Sequence, residues 1–248
     1  MRRRLARAVA IALFATCIGS MVGAAALFYM AGDRIPEGTI VVVGDRSAPG
    51  MQETLAELRE RVAQGDPLTG GEEGPAIFIV VLLLLVWVGI GVLIVWRQPG
   101  NWAGWLFIIT GMPFPVLSLA QSVMVYGLKV EPGSIPFISA WATLGEFAFY
   151  PLALIPLLFL LYPDGHLPSR AWRWTVIGLL GGTAVAFLAF FFRPGPFNNW
   201  RDSGILYENP FGIDAFAGAA GIVITAGTLV ALVSGLSSVL AIVLRYRR

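Results

Sequence analysis

Residues 160–174, LLYPDGHLPSRAWRW, form a polar stretch between two long apolar ones. Proline, aspartate and glycine at 163–165 are a turn signal, Arg170 and Arg173 supply positive charge, and Trp174 is typical of a membrane interface. A chain that crosses a membrane repeatedly needs such a turn wherever it reverses direction. The stretch therefore predicts a connection between two membrane helices, and its arginines indicate the side on which it lies.

The composition supports a membrane protein. Of the 248 residues 57% are hydrophobic and 13% are charged, whereas a soluble domain carries about 25% charged residues. The net charge of +2 is too small to suggest nucleic-acid binding. Cys17 is the single cysteine and His166 the single histidine, which excludes an intrachain disulfide and a cysteine-built metal site. We therefore predict no metal and no cofactor.

Six segments are long and apolar enough for a membrane helix, which needs about 20 mainly apolar residues. They lie at 8–30, 76–96, 102–127, 135–162, 174–192 and 215–244. The predicted fold class is all-α: a polytopic membrane helical bundle of six transmembrane helices, with the lipid bilayer as its solvent. The chain then divides into an N-terminal helix (1–30), an extracytoplasmic loop (31–74) and a five-helix membrane region (75–248).

The N-terminal segment could also be a cleaved signal peptide. Arginines at 2, 3, 4 and 7 precede an apolar run that reaches residue 30, which is longer than the roughly 7–15 residues of a signal-peptide core. The length favours an uncleaved membrane helix. Cleavage after the alanines at 24–26, and acylation of Cys17, are the alternatives.

The charge bias sets the predicted orientation. With the N-terminus in the cytoplasm, the inner segments hold ten basic residues and one acid, and the outer segments hold seven basic residues and thirteen acids. The opposite orientation would reverse this bias at every loop. We therefore predict a bacterial plasma-membrane protein with both termini cytoplasmic.

The first outer loop contains a predicted strand and a predicted helix. Residues 39–43, TIVVV, read as a short strand, and residues 52–64 read as a helix with Leu55, Leu58 and Val62 along one face. So few residues cannot bury much core by themselves. We expect a small lid on the outer helix ends, with a ligand- or partner-sensing cap as the alternative.

The third outer loop, 193–214, is rich in proline, glycine and asparagine. Such loops often carry recognition, and Trp200, Tyr207 and Phe211 are aromatic side chains that could provide it. The same side chains could equally be interface anchors, so the sequence leaves both readings open.

Glu146 lies near the middle of the fourth predicted span. A charged side chain at that depth costs roughly 2.5–3.5 kcal/mol on insertion scales, so we expect it to be neutral and hydrogen-bonded. A polar face on the third helix, Ser118, Gln121, Ser122 and Tyr126, has the spacing to supply the partner. The alternatives are a structural bond between helices, a polar ligand- or ion-sensing site, and proton or ion translocation.

Proline and glycine residues within the spans predict irregular and closely packed helices. Pro113 and Pro115 in the third span, and Pro151 and Pro156 in the fourth, predict kinks that could move the turn at 163–165.

Two pairs of glycines have the spacing of close helix contacts. They are Gly19 with Gly23 and Gly178 with Gly182. The spacing fits packing within one chain and packing in a homodimer equally well.

Three stretches together resemble the membrane-spanning sensor region of actinobacterial-type sensor histidine kinases. They are RQPGNWAGW at 97–105, the turn at 160–174, and NPFGI at 209–213. Their order and spacing match this family over about 76–248, but not over 31–74. No phosphoacceptor segment or ATP-binding domain follows residues 245–248 in this sequence. The resemblance therefore implies the membrane architecture and not the kinase activity, whether the chain is a stand-alone relative or a shortened kinase.

We predict a non-enzymatic sensory or accessory membrane module. Its outer loops and the Glu146 region would receive a signal. A cytoplasmic signalling turn would pass that signal to a histidine kinase or another cytoplasmic partner, and its predicted residues are Asp164, Gly165, His166, Arg170 and Arg173. The alternative is a small transporter or ion- or proton-conducting protein that uses Glu146.

Overall fold

The computed structural model describes residues 2–68, 76–161, 167 and 169–246, and the chain is mostly helical over these ranges. Its helices are α1 (Arg2–Ala31), α2 (Met51–Ala63), α3 (Ala76–Arg97), α4 (Trp102–Gly111), α5 (Pro113–Val125), α6 (Ile138–Phe147), α7 (Ile155–Leu161), α8 (Arg173–Phe191) and α9 (Ala217–Tyr246). Two short strands are β1 (Val41–Val43) and β2 (Ile205–Tyr207).

Five helical stretches in the described ranges are long and apolar enough to cross a membrane. They are Arg3–Arg34, Trp102–Val130, Ile138–Leu161, Arg170–Phe191 and Asp214–Ala241. These stretches confirm the predicted all-α helical bundle and a multi-pass membrane protein. The helix α3 is also apolar and 22 residues long, but six crossings remain a prediction.

Contacts at the helix ends show that α1 and α3 run in opposite directions. At one end, Nε of Arg7 donates to the carbonyl oxygen of Trp96 at 2.9 Å, which brings the start of α1 beside the end of α3. At the other end, Nζ of Lys129 donates to the carbonyl oxygen of Leu68 at 3.0 Å. We call the end that contains Lys129 and Leu68 the cap end, after the structure described below, and the end that contains Arg7 and Trp96 the opposite end.

Two of the apolar stretches are broken where the sequence places proline. The helix α4 ends at Gly111 and α5 begins at Pro113, while α6 and α7 are separated by a 3-10 turn, Tyr150–Leu154, that contains Pro151. Proline has no N–H, and its ring clashes with the carbonyl four residues earlier. The kinks predicted at Pro113 and Pro151 are therefore confirmed. Pro156 lies at the start of α7, where a missing N–H loses no partner.

The strands join two distant loops at the cap end. β1 pairs in parallel with β2, so that Val41 lies opposite Ile205 and Val43 opposite Tyr207. The predicted strand at 39–43 thus exists over its last three residues. Its partner strand was not predicted, although Ile205–Tyr207 is a short apolar run between a glycine and a glutamate.

The helix α2 buries its apolar face beneath this strand pair. Met51, Leu55 and Leu58 are buried in one cluster with Leu206 of β2. The predicted helix at 52–64 is therefore confirmed, and the first loop packs together with the third loop. We use the name cap for β1, α2 and residues 192–213 together, because the two loops share one core.

Polar contacts also connect the two loops of the cap. Arg61 donates from Nε to Oδ2 of Asp66 at 2.8 Å and from Nη1 to Oδ1 of Asp202 at 3.0 Å. The backbone N–H of Asp45 donates to Oε2 of Glu208 at 2.6 Å. Two of these three bonds run from the first loop to the third.

The helices α8 and α9 pack with their backbones in contact. A Cβ atom added at Gly182 would lie 2.6 Å from both the backbone nitrogen of Ala231 and the carbonyl oxygen of Gly227. A Cβ at Gly178 would meet Ser234 of α9, whereas one at Gly19 in α1 would meet nothing within 4 Å. The glycine pair of α8 therefore serves packing within one chain.

Candidate functional site

Glu146 lies in the last turn of α6, and its side chain is only 4% exposed. Its Oε1 accepts from the backbone N–H of Asn198 at 2.9 Å, and its Oε2 accepts from the backbone N–H of Asn199 at 3.0 Å. Both carboxylate oxygens are therefore occupied by donors from the cap. A buried carboxyl group needs such donors because an unsatisfied polar group is unfavourable in an apolar environment.

The side chain of Asn199 completes the connection to α6. Its Nδ2 donates to the carbonyl oxygen of Gly145 at 3.0 Å and to that of Glu146 at 3.3 Å. Carbonyl groups in the last turn of a helix lack partners in the helix itself, and Pro151 cannot supply an N–H to Phe147 four residues earlier. The loop thus caps a helix end that proline helps to create.

Trp200 seats the same loop against the helices. Its side chain is 0% exposed and lies in one buried cluster with Ala120, Met124 and Ala142. A Cβ atom added at Gly145 would lie 2.3 Å from Cη2 of Trp200, so glycine is required for this contact. The sequence left open whether Trp200 serves recognition or is an interface anchor, and the structure shows it as a buried anchor of the cap.

Two arginines lie in the loop that contacts Glu146. Nη2 of Arg193 donates to the carbonyl oxygen of Pro196 at 3.2 Å and to Oδ1 of Asn198 at 3.3 Å. Burial lowers the pKa of Arg193, the carboxylate of Glu146 acts against this lowering, and the neighbouring Arg201 adds to it. Arg193, Arg201 and Glu146 therefore form one electrostatic group at the cap end.

The polar face predicted on the third helix does not bond to Glu146. Nε2 of Gln121 donates to Oγ of Ser203 at 3.4 Å, and Oγ of Ser122 donates to the carbonyl oxygen of Ser118 within α5. Ser118 itself is exposed. The expected bond between the third and fourth spans is wrong, because both Gln121 and Glu146 bond to the loop at 198–203 instead.

The described part of the predicted signalling turn is exposed at the opposite end. Arg170 begins a 3-10 turn, Arg170–Trp172, and the guanidinium of Arg173 lies 5.1 Å from the ring centroid of Trp174. Asp164, Gly165 and His166 lie outside the described residues. The signalling role of this turn stays a prediction.

The sequence could not identify the partners of Glu146. Two of them are backbone N–H groups, which every residue except proline carries, so no residue type marks them. The asparagine pair at 198–199 in a proline- and glycine-rich loop indicates a turn. It does not indicate that the turn reaches a helix break.

The site connects the cap to the end of α6 through the hydrogen bonds from Asn198 and Asn199 to Glu146. Within the described ranges, no group of three His, Cys, Asp or Glu side chains could hold a metal ion. Irregular backbone at membrane depth occurs where it is buried in protein or lines a cavity, and here the loop at 197–200 covers the break after α6. No protein-family model, curated protein or solved structure matches this chain.

Proposed function

We propose that the chain is a non-enzymatic sensory or accessory module of a bacterial plasma membrane. In this proposal it crosses the membrane six times, with the cap outside and both termini in the cytoplasm. The cap receives a signal, and the opposite end passes it to a histidine kinase or another cytoplasmic signalling partner.

The observation that carries the proposal is the bonding of Glu146 to Asn198 and Asn199. These bonds connect the cap directly to the break between α6 and α7. A break in a helix is a place where a small displacement at one end can change the angle between two segments. A change in the cap therefore has a physical route into the membrane region.

The helix α7 continues this route towards the opposite end. Leu157, Leu158 and Leu160 are buried in one cluster with Leu179 of α8 and Ala241 of α9. Packed interiors transmit displacement because they have few voids to absorb it. A rotation of α7 would therefore displace the segments that lead to Arg170 and to the C-terminal end of α9.

The charge distribution supports the assigned sides. Basic residues exceed acids at the opposite end, and acids exceed basic residues in the cap loops. The resemblance of residues 97–105 and 160–174 to sensor histidine kinases supports a signalling partner over transport.

The test measures coupling between the two ends. Spin labels are attached at Arg97→Cys and Arg170→Cys in a Cys17→Ala background, and the distance between them is measured in lipid nanodiscs. Glu146→Gln and Asn199→Ala are expected to shift the distance distribution by a few ångströms, as helix movements in signalling proteins do. Thr143→Ala is the control, because Thr143 lies on α6 and its hydroxyl donates to the carbonyl oxygen of Ser139 in the same helix.

An unchanged distance distribution in both variants would overturn the relay. The transport alternative is tested in liposomes with a pH-sensitive dye. A proton or ion flux through the wild type that is lost in Glu146→Gln would replace the sensory proposal by transport.

A further inference from the structure

A cavity of about 370 Å³ lies where the cap meets the membrane region. Its walls come from α2, from the loop after α8, and from the start of α9, where Ala217 and Gly221 leave room by being small. The volume is within the range of about 300–1,000 Å³ that small-molecule sites occupy.

The cavity has a positive wall and a negative wall. Arg193 and Arg201 line it from the loop, and Glu53 and Glu57 line it from α2, one helical turn apart. Nη1 of Arg201 is 3.8 Å from Oε2 of Glu57, which is too long for a hydrogen bond. The two walls therefore meet in a loose ion pair that contains no hydrogen bond.

Arg201 has one unpaired donor beside this cavity. Its Nε atom is buried and has no hydrogen-bond partner among the described residues. Buried donors are nearly always satisfied, and a guanidinium binds phosphate or carboxylate groups with two parallel hydrogen bonds. Arg193 has the same chemistry, and an anion between the two guanidinium groups would offset their mutual repulsion.

We infer that this cavity binds a zwitterionic group, with its phosphate or carboxylate against Arg193 and Arg201 and its ammonium group against Glu53 and Glu57. The role of this group as the signal rests on the proposed function, but its binding can be measured independently. Arg193 and Arg201 lie on the loop that bonds to Glu146, so occupation of the cavity would act on the helix break.

Two kinds of ligand carry such a zwitterionic group: a lipid with a phosphatidylethanolamine headgroup, and a small soluble zwitterion. An apolar groove of about 500 Å³ lies beside the cavity and is lined by side chains such as Leu188, Phe192 and Phe216. Phe192 and Phe216 directly precede the cavity residues Arg193 and Ala217 in the chain. The groove could hold an acyl chain, which is why a lipid and a soluble probe are both needed.

The lipid probe is phosphatidylethanolamine added to the chain in phosphatidylglycerol nanodiscs, with bound lipid counted by native mass spectrometry. The soluble probe is phosphoethanolamine, measured by titration calorimetry in the same nanodiscs. The wild type is expected to bind one of the two probes, and Arg201→Gln and Glu57→Gln are each expected to weaken binding by about tenfold or more, as the loss of one charge-assisted hydrogen bond does. Arg201→Lys keeps the charge and is expected to bind better than Arg201→Gln.

The matched controls are Arg59→Gln and Glu60→Gln, exposed positions of α2 outside the cavity. Retention of the lipid alone identifies a headgroup, and binding of phosphoethanolamine identifies a soluble ligand. Binding of neither probe would overturn the inference. An effect of Arg201→Gln without any effect of Glu57→Gln and Glu53→Gln would also overturn it, because the ligand would then be a simple anion. Neither readout depends on the distance between spin labels, so failure here is distinguishable from failure of the relay.

Discussion

The helix pair α8–α9 and the broken pair α6–α7 stand side by side and are held in different ways. In α8–α9 the backbones touch at Gly182 and Gly227, and both helices run without interruption. In α6–α7 the helix stops after Phe147, and the buried carboxylate of Glu146 is held by the cap.

This difference separates a fixed part of the molecule from an adjustable one. Backbone contact through glycine leaves no space for a second arrangement, because interiors are packed close to the density of crystals. A helix end held by hydrogen bonds to a loop can exchange those bonds when the loop moves. Substitutions in the two regions should therefore differ in how much they change stability and in how far from the substituted residue the change extends.

The largest effect is expected at Glu146→Ala. The substitution leaves the N–H groups of Asn198 and Asn199 without their acceptor in a buried place, which should lower the free energy of unfolding by about 2–5 kcal/mol. Thermal unfolding in nanodiscs measures it. Thr143→Ala on the same helix should change stability by less than about 0.5 kcal/mol, and equal losses in the two variants would contradict the role given to Glu146.

Gly182→Ala should have the next largest effect. Its new methyl group would lie 2.6 Å from backbone atoms of α9 that cannot move away, so we expect a loss of about 1–3 kcal/mol from overpacking. Gly181→Ala is the neighbouring control, with nothing within 4 Å of the added atom. It should be neutral or stabilising by up to about 1 kcal/mol, because alanine favours the helix more than glycine does. A loss at Gly181 as large as that at Gly182 would show that the contact with α9 is not responsible.

Arg61→Gln should have a smaller effect, confined to the cap. It removes the bond to Asp66 within the first loop and the bond to Asp202 that joins the two loops, and partly exposed ion pairs contribute about 0–1 kcal/mol each. Proteolysis of the cap should accelerate while the thermal unfolding of the membrane helices stays unchanged. A fall in the unfolding temperature of the whole chain would mean that the cap and the bundle unfold as one unit.

Acid should produce the smallest effect, and again in the cap. The backbone N–H of Leu68, together with Arg61, lowers the pKa of Asp66, and Ser47 lowers the pKa of Asp45. A lowered folded-state pKa gives stability that is present above the unfolded value of about 3.9 and is lost as the pH falls through the folded value. Hydrogen exchange, corrected for its intrinsic rate, should show cap amides losing protection below about pH 4 while amides of α8 and α9 keep theirs. Loss of protection in both regions would contradict this.

The sequence predicts the helices well because burial in lipid requires long apolar runs. The breaks at Pro113 and Pro151 follow equally directly from the missing N–H of proline. In the cap, the β-branched run at 39–43 and the helical spacing of apolar residues at 52–64 locate β1 and α2 to within about two residues.

What the sequence does not predict is which separated segments meet. Glu146 is recognisable in the sequence as an acidic residue within an apolar span. Its partners, however, are backbone groups of a distant loop, and no sequence pattern connects that loop to Glu146. Ile205–Tyr207 has the residues of a strand, but a run of three residues is too short to predict either the strand or its pairing partner. The helical spacing of Gln121 predicts that it faces the fourth span. Gln121 nevertheless bonds to Ser203, because a loop that folds back into the bundle competes for the same donors.

The parallel pairing of β1 with β2 has a consequence for biosynthesis. A ribosome releases Val41–Val43 long before Ile205–Tyr207, and most of the remaining helices must enter the bilayer between the two events. Pairing between segments so distant in the chain is slow, and an unpaired strand edge invites association with other chains. Newly made molecules therefore pass through a stage in which Met51, Leu55 and Leu58 are not yet covered by Leu206. Protection by a chaperone would matter most at that stage.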